Sequence, residues 1–329
     1  MAEETSTTVL IAGGAGYIGS HAVLACLEAG LKVVVLDDLS TGRRRLVPGE
    51  ARFVEGDVGD ATLVDRVIHE ERIDALMDFA GSIVVPESVV EPAKYYRNNT
   101  VKSLSLFEAA LGAGVRAVIY SSTAAVYGEA SDAPLAEDSP LLPMSPYGRS
   151  KLAAEFMLKD LCAVSDASYA ILRYFNVAGA DPQGRTGQVS ERATHLIKIA
   201  CEVATGKRSV LPIYGVDYPT RDGSCLRDYI HVSDLAELHV LALKQLLAGG
   251  GSFTANCGYG AGASVLEVVA AIERVLGRSL PTQIQGRRAG DPPSLIADPS
   301  RIRSLLGWSP KLDNLDEIVA SAHRWELMS

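Results

Sequence analysis

Through its first 176 residues the chain alternates short apolar, β-rich runs with helical stretches, and no other feature limits its fold so strongly. TVLIAGG (8–14) reads as a strand and is followed by a helix from Ile18 to about Ala29. KVVVLDD (32–38) is almost continuously apolar, as a strand covered on both faces should be. ARFVEGDV (51–58) is a third strand, followed by a helix to about Glu71. IDALMDFAG (73–81) is a fourth, followed by a helix over about 92–113. VRAVIYSS (115–122) is a fifth, and SPYGRSK (145–151) opens a helix that reaches about Cys162. SYAILRYFN (168–176) is a sixth. Strand and helix alternating in this way build βαβ units, hence a parallel sheet with helices on its faces. The expected class is α/β: a Rossmann-type doubly wound sheet with a smaller mixed α/β domain.

The boundaries predicted on this reading are 1–176 for the sheet domain, with a return segment over about 228–256, and 177–329 for the remainder. Beyond Asn176 the texture changes: residues 177–230 are rich in Gly, Pro, Asp and Arg, with one helix near 190–205. HVSDLAELHVLALKQLLAG (231–249) predicts a helix with Ser233 or Asp234 as its N-cap. A strand over 252–258 and helices over about 264–276 and from about 313 complete the chain.

IAGGAGYIGS (11–20) sets Gly13, Gly16 and Gly19 between the first strand and the first helix. A tight turn of positive φ, a backbone that approaches a pyrophosphate and a helix packed close to its strand each need a glycine. The helix start, with Tyr17 and Ile18 in its first turn, then offers unpaired N–H groups to the phosphates. Asp37, at the end of the second strand, can bond both ribose hydroxyls of an adenosine and would repel a 2′-phosphate, which favours NAD over NADP. Arg43–Arg45 argue weakly the other way and read as a solvated loop. The alternative for the glycines is a tight turn with no ligand. Asp57 and Val58 end the third strand, where a carboxylate can meet an adenine amine. Phe79, Ala80 and Gly81 end the fourth, where a small turn can pass beneath a dinucleotide.

Tyr147 and Lys151 stand four residues apart on the helix that SPYGRSK opens and so share a face. A tyrosine with a pKa of about 10 is a poor base at neutral pH, and lowering it to about 7 takes roughly 4 kcal/mol. A cation about 4 Å away at an effective dielectric near 20 supplies on the order of 4 kcal/mol. Thr123, at the end of the fifth strand, can bond the same substrate oxygen. The pair therefore suits a phenolate base that removes a sugar hydroxyl proton while hydride leaves for a nicotinamide. The plainer alternative is a surface tyrosine and a strand-end threonine.

Four stretches, GGAGYIGSH, YSSTAAVYGE, SPYGRSK and LRYFNVAGA, resemble the extended short-chain dehydrogenases/reductases that act on nucleotide sugars. YGVDYPTRDGSCLRDYIHVSDLA (214–236) and GRRAGDPPSLIADPSR (286–301) are similar to the corresponding segments of the UDP-glucose 4-epimerase family. The resemblance implies NAD as cofactor, a UDP-sugar as substrate and a homodimer, while the cysteines, read below as reduced thiols, imply a cytoplasmic location. It implies Tyr147 as base, with Lys151 its partner on the nicotinamide ribose and Thr123 beside it. Asn98 and Tyr174 would lie at the nicotinamide and Phe175 at the sugar. Asn176, Arg227 and Arg288 would hold the diphosphate and Asp291 the uridine ribose. His195 and Leu196 join the substrate set, and Leu295 would close the sugar pocket.

The implied reaction is 4-epimerisation of UDP-glucose and UDP-galactose through a 4-keto sugar. Two departures from the family pattern stand out. Ile83 occupies the place of a lysine near the cofactor phosphates, so phosphate binding must lean on other groups. Leu295 is intermediate between a bulky aromatic that would exclude N-acetyl sugars and a small residue that would admit them. Competing readings are a 4-epimerase of UDP-N-acetylglucosamine, a UDP-pentose or UDP-glucuronate, a nucleotide-sugar 4,6-dehydratase, and a non-catalytic NAD-binding protein. A dehydratase needs an acid and a base beside the strand-end hydroxyl, where this chain has Ala124 and Ala125.

Composition closes off other classes. The formal charge is −9 and no Lys/Arg run exceeds Arg43–Arg45, which argues against a nucleic-acid or anionic-membrane surface. No stretch approaches the roughly 18 apolar residues of a membrane span. The acidic start is unlike a signal peptide. Five scattered cysteines without C-x-x-C spacing read as reduced thiols, and the six histidines form no ligand set, so no metal is expected.

Overall fold

The computed structural model describes residues 7–128, 134–190, 194–288 and 291–329; the acidic residues 1–6 lie outside it. The chain divides into two compact units: Met1–Thr123, Ser145–Leu172 and Ala236–Ala255 form one, and Ala124–Met144, Arg173–Leu235 and Asn256–Ser329 the other.

In the first unit β1 (Thr8–Ala12) leads through a glycine turn to α1 (Tyr17–Glu28), β2 (Lys32–Asp37) and β3 (Arg52–Glu55). There follow α2 (Ala61–Glu71), β4 (Ala75–Asp78), the short α3 (Val85–Val90) and α4 (Pro92–Tyr96), and α5 (Lys102–Gly112). β5 (Ala117–Thr123), α6 (Pro146–Ala163) and β6 (Ser168–Tyr174), whose last two residues belong to the second unit, come next. Among the described residues the sheet has seven strands, and the six that precede the chain's change of texture are ordered β3-β2-β1-β4-β5-β6. Pairings from β3 across to β5 are parallel, with Val9 opposite both Val33 and Ala75. The order reverses between β1 and β4, the place where such sheets open a crevice beyond their strand ends.

Burial follows from sequence pattern. All five residues of β1 and all four of β4 are buried. Leu10, Leu36, Leu76, Val118 and Ile171 of the sheet share one core with Val64, Val67, Leu106, Phe107 and Leu158 of the helices. Each fully buried Leu or Phe of this kind contributes about 1.5–3 kcal/mol. Helix starts are chemically marked: Asp60 accepts from the N–H groups of Thr62 and Leu63 at 3.1 Å, and Ser145 from Gly148 at 3.1 Å. Pro146 then opens α6, where its missing N–H costs nothing.

The predicted helix over 92–113 is real but interrupted. One wide π-type turn over Arg97–Val101 separates α4 from α5. Such turns concentrate at functional positions.

The second unit carries β7 (Asn176–Ala178), α7 (Leu196–Ala204), β8 (Leu211–Tyr214) and β9 (Leu226–His231). α8 (Val232–Leu247) begins here and ends in the first unit, and β10 (Phe253–Cys257), the seventh strand of the sheet, lies next to β6. Then come β11 (Gly262–Ser264), α9 (Val265–Leu276), β12 (Thr282–Gln285), β13 (Ser294–Leu295), α10 (Ser300–Leu306) and α11 (Leu315–Met328). β9 is paired by β7 and β13 in parallel and by β11 antiparallel. The helix expected from about 190 starts at Leu196; residues 191–193 are outside the described chain.

Neither Ser233 nor Asp234 caps α8. The Nδ1 atom of His231 accepts from Ser233 N–H at 3.0 Å and takes that role. Asp234 turns away because its carboxylate has better partners: Tyr259 O–H at 2.7 Å and the N–H groups of Lys311 and Leu312 at 3.1 and 3.0 Å. Among the described residues no helix is long and apolar enough to cross a membrane, and no cluster of His, Cys, Asp or Glu could hold a metal ion.

Candidate active site

The glycine turn leaves no room for a side chain at Gly13 or Gly19. Gly13 has φ +75°, and a Cβ there would meet Ala80 N at 2.7 Å and the Phe79 carbonyl carbon at 2.8 Å. A Cβ on Gly19 would lie 2.2 Å from Gly13 O, so α1 rests directly on the end of β1. Gly16 N–H closes the turn on Gly13 O at 3.1 Å, and Gly16 caps α1 with no side chain in the way. Tyr17 and Ile18 form the first turn, whose N–H groups point out of the helix start. Asp37 is 7% exposed and accepts from Ala15 N–H at 2.9 Å and Leu39 N–H at 2.8 Å. Burial pushes its carboxyl up and the two N–H groups pull it back. Asp57, beside the buried Val58, accepts from Gly59 N–H at 2.8 Å and pairs with Lys102 at 2.7 Å. A flat cradle with a recessed acid at its edge fits a dinucleotide pyrophosphate and ribose.

Beyond β4 the Phe79–Gly81 turn faces that cradle. Asp78 accepts from Ala80 N–H at 3.0 Å and from Ser103 O–H at 3.2 Å. The wide helical turn earns its place here: Asn99, fully buried, accepts from Ser82 N–H at 2.7 Å and donates to Ser82 O at 2.9 Å and Ser150 Oγ at 3.1 Å. Asn98 donates to Ser82 Oγ at 2.9 Å. The turn after β4 is thereby tied to α6 between Tyr147 and Lys151. Ile83 is 49% exposed.

Tyr147 is half-buried in the first turn of α6 and hydrogen-bonds the Thr123 side chain at the end of β5. Burial pushes its phenol up and the Thr123 bond pulls it down. Its ring stands perpendicular to that of Tyr95, 6.3 Å between centroids. Lys151 is 3% exposed; its ammonium donates to Ser121 O at 2.8 Å and sits 4.7 Å over the Tyr120 ring. The ammonium is thus seated on Ser121 O, and its field is not among the main influences on the phenol. Burial lowers the Lys151 pKa to about 8, against the carboxylates of Asp78 and Glu155, which hold its proton on.

Sequence reasoning passed over both acids. Asp78 is the buried last residue of β4, after three apolar ones, and Glu155 lies one turn beyond Lys151, fully buried and accepting from Ser122 O–H at 2.5 Å. A charge inside an apolar pattern was the available signal. Nothing in the spacing pointed to Asn99 or Tyr95.

In the second unit three of the predicted substrate residues, Asn176, His195 and Leu196, line one open pocket of about 440 Å³, with Gln188, Tyr229 and Trp325. Tyr174 and Phe175 are buried at the end of β6 and just past it. Arg227 lies on β9 with Leu295 as its register partner on β13, and its guanidinium is 3.8 Å from Asp291. Arg288 stacks on the Tyr214 ring at 4.2 Å.

A glycine turn, a recessed acid and a Tyr–Lys helix at the reversal of a parallel sheet define a doubly wound α/β protein of the dinucleotide-binding class. Residues 9–258 match the sequence profile of the NAD dependent epimerase/dehydratase family. The chain belongs to that family. Curated relatives include the UDP-glucose 4-epimerase of Azospirillum brasilense, 57% identical over 99% of this chain and 94% of that one. That of Lacticaseibacillus casei is 46% identical over 97% and 96%. Among solved structures, UDP-glucose 4-epimerase from Brucella ovis in complex with NAD superposes with a TM-score of 0.94 at 44% identity, covering 97% of this chain and 98% of that one. The enzyme from Bifidobacterium longum in complex with NAD+ and UDP gives 0.92 at 37% identity, covering 98% of each.

Proposed function

We propose that this protein is an NAD-dependent 4-epimerase that interconverts UDP-glucose and UDP-galactose. The carrying observation is the Tyr147–Thr123 hydrogen bond, in the same unit as a glycine cradle that admits no side chain. Relatives named for this activity over nearly the whole chain support the same reading.

The glycine cradle, Asp37 and the Phe79–Gly81 turn suit NAD, which when bound supplies a nicotinamide to accept and return the hydride of sugar carbon 4. The chain's own work is binding and proton transfer. Tyr147 takes the proton of the 4-hydroxyl and gives it back, and Thr123 shares that oxygen. The Lys151 ammonium favours the phenolate once drawn towards it and bonds the nicotinamide ribose. Asn176, Arg227 and Arg288 hold the diphosphate, for which forked guanidinium donors are apt. Asp291 takes the uridine ribose, and Leu295 bounds the sugar. We assign cofactor binding to 1–176 with the return over about 228–256, and nucleotide-sugar binding to the rest.

We further propose a cytoplasmic homodimer. Five buried cysteines without a disulfide suit a reducing compartment. Val101, at the end of the wide turn before α5, and Phe156 on α6 are 57% and 52% exposed, as suits a covered face.

The test is purified protein with UDP-galactose, with and without added NAD+, and separation of the sugar nucleotides. Conversion to UDP-glucose without net NADH is expected. Tyr147→Phe should lose at least 100-fold in kcat and still bind NAD. No conversion by the wild type with NAD+ present would overturn the galactose reading. The same assay with UDP-N-acetylglucosamine reads out Leu295.

A further inference from the structure

His195 is the residue just before α7, yet its ring caps nothing there. Its Nδ1 atom instead lies 3.0 Å from the side-chain Nε2 of Gln188, a residue that is 8% exposed. Gln188 is held in turn by the last helix of the chain: the Trp325 indole N–H donates to its backbone oxygen at 3.1 Å. A Cβ on the neighbouring Gly187 would lie 2.5 Å from the Trp325 ring, so this contact admits only glycine. One residue further along α11, Glu326 pairs with Lys198 in the first turn of α7. Two successive residues of α11 therefore fasten the segment that carries His195 and Leu196.

An amide N–H aimed at Nδ1 makes that nitrogen an acceptor and puts the ring proton on Nε2. We infer that Gln188, anchored by Trp325, locks His195 as a neutral imidazole whose Nε2–H donates to an acceptor oxygen of the bound nucleotide sugar. His195 is the donor; Gln188 and Trp325 are positioning residues. This rests on the nucleotide-sugar reading of the pocket and deepens it.

The remaining groups of the pocket agree. Burial lowers the His195 pKa, which keeps the ring uncharged near neutrality. Lys198 and Glu326 neutralise each other. Burial raises the Cys201 thiol to about 12 and pushes the Tyr229 phenol up as well. Neither of those two groups changes charge between pH 6 and 8. A ligand bound through a locked neutral donor should have an affinity that is flat over that range.

The experiment measures UDP-glucose binding by calorimetry from pH 6 to 8, in a Tyr147→Phe background where turnover is slowed at least 100-fold. The profile should be flat. Gln188→Glu puts a carboxylate on Nδ1, so the neutral ring must carry its proton there and loses its Nε2 donor. Only the imidazolium then donates to the ligand. Affinity of this variant should fall about tenfold as pH rises through the histidine range, the worth of one hydrogen bond. A Gln188→Glu profile as flat as the parent's would overturn the inference, whether or not its affinity is lower throughout. If Gln188→Glu fails to fold, Gln188→Met is the measurement: UDP-glucose binding about 3- to 10-fold weaker, and KM raised with kcat unchanged in the Tyr147 enzyme. Equal affinity would overturn it. Failure of the parent to bind UDP-glucose at any pH would instead count against the nucleotide-sugar reading itself.

Discussion

A lysine buried to 3% holds its proton only with help. Around Lys151 that help comes from two carboxylates, Asp78 and Glu155, and from the Ser121 carbonyl. Burial still wins, leaving the pKa near 8. The ammonium is therefore mostly charged at pH 7 and disappears as pH rises through about 8. In the proposed reaction that charge favours the Tyr147 phenolate once the ammonium is drawn towards it, so the alkaline limb of kcat/KM for UDP-galactose should fall no higher than about pH 8. Glu155→Gln removes one of the supporting charges and should move that limb to lower pH. A limb near 10, the ordinary lysine range, would refute this.

Secondary-structure elements are joined by single buried side chains, and His231 is one of them. It caps α8 through Nδ1, and its Nε2 lies 3.1 Å from Ser321 Oγ on α11. Both contacts suit a neutral ring. Burial lowers its pKa to about 4, with the Asp181 carboxylate opposing. The unfolded chain takes up this proton near pH 6.5. Between about 6.5 and 4 the unfolded state binds more protons than the folded state, so stability falls as pH drops. The loss from this one group is about 3 kcal/mol. Urea titrations at pH 7 and pH 4.5 measure it. His231→Asn, which can still cap, should flatten the pH dependence by about that amount. An unchanged slope would show that His231 does not carry it.

For the molecule as a whole, the apolar side chains exposed on neighbouring helices matter most. Val101, in the wide turn before α5, and Phe156 on α6 project from elements that are otherwise well packed. A covered face here would bring two chains together. Sedimentation should give about twice the chain mass of 34.9 kDa. Phe156→Glu should shift the protein to the monomer, because a carboxylate buried without a partner is costly. A wild type that sediments as a monomer at micromolar concentration would remove the dimer.

What the sequence determined by itself is local or periodic. Strand and helix alternation gave away the sheet, because apolar runs and 3.6-residue periods report burial directly. Gly13, Asp37, Tyr147 and Lys151 were legible because a turn of positive φ, a strand-end acid and an i, i+4 pair need no knowledge of the rest of the chain. Tertiary structure alone decided the remainder. It put Asp78 and Glu155 under Lys151, seated the ammonium on Ser121 O, brought Asn99 to Ser150, gave the α8 cap to His231 and set Trp325 behind Gln188 and His195. These partners lie up to 137 residues apart in the chain. Such pairings leave no periodic trace, because the energy that selects them is desolvation of a polar group in one particular place.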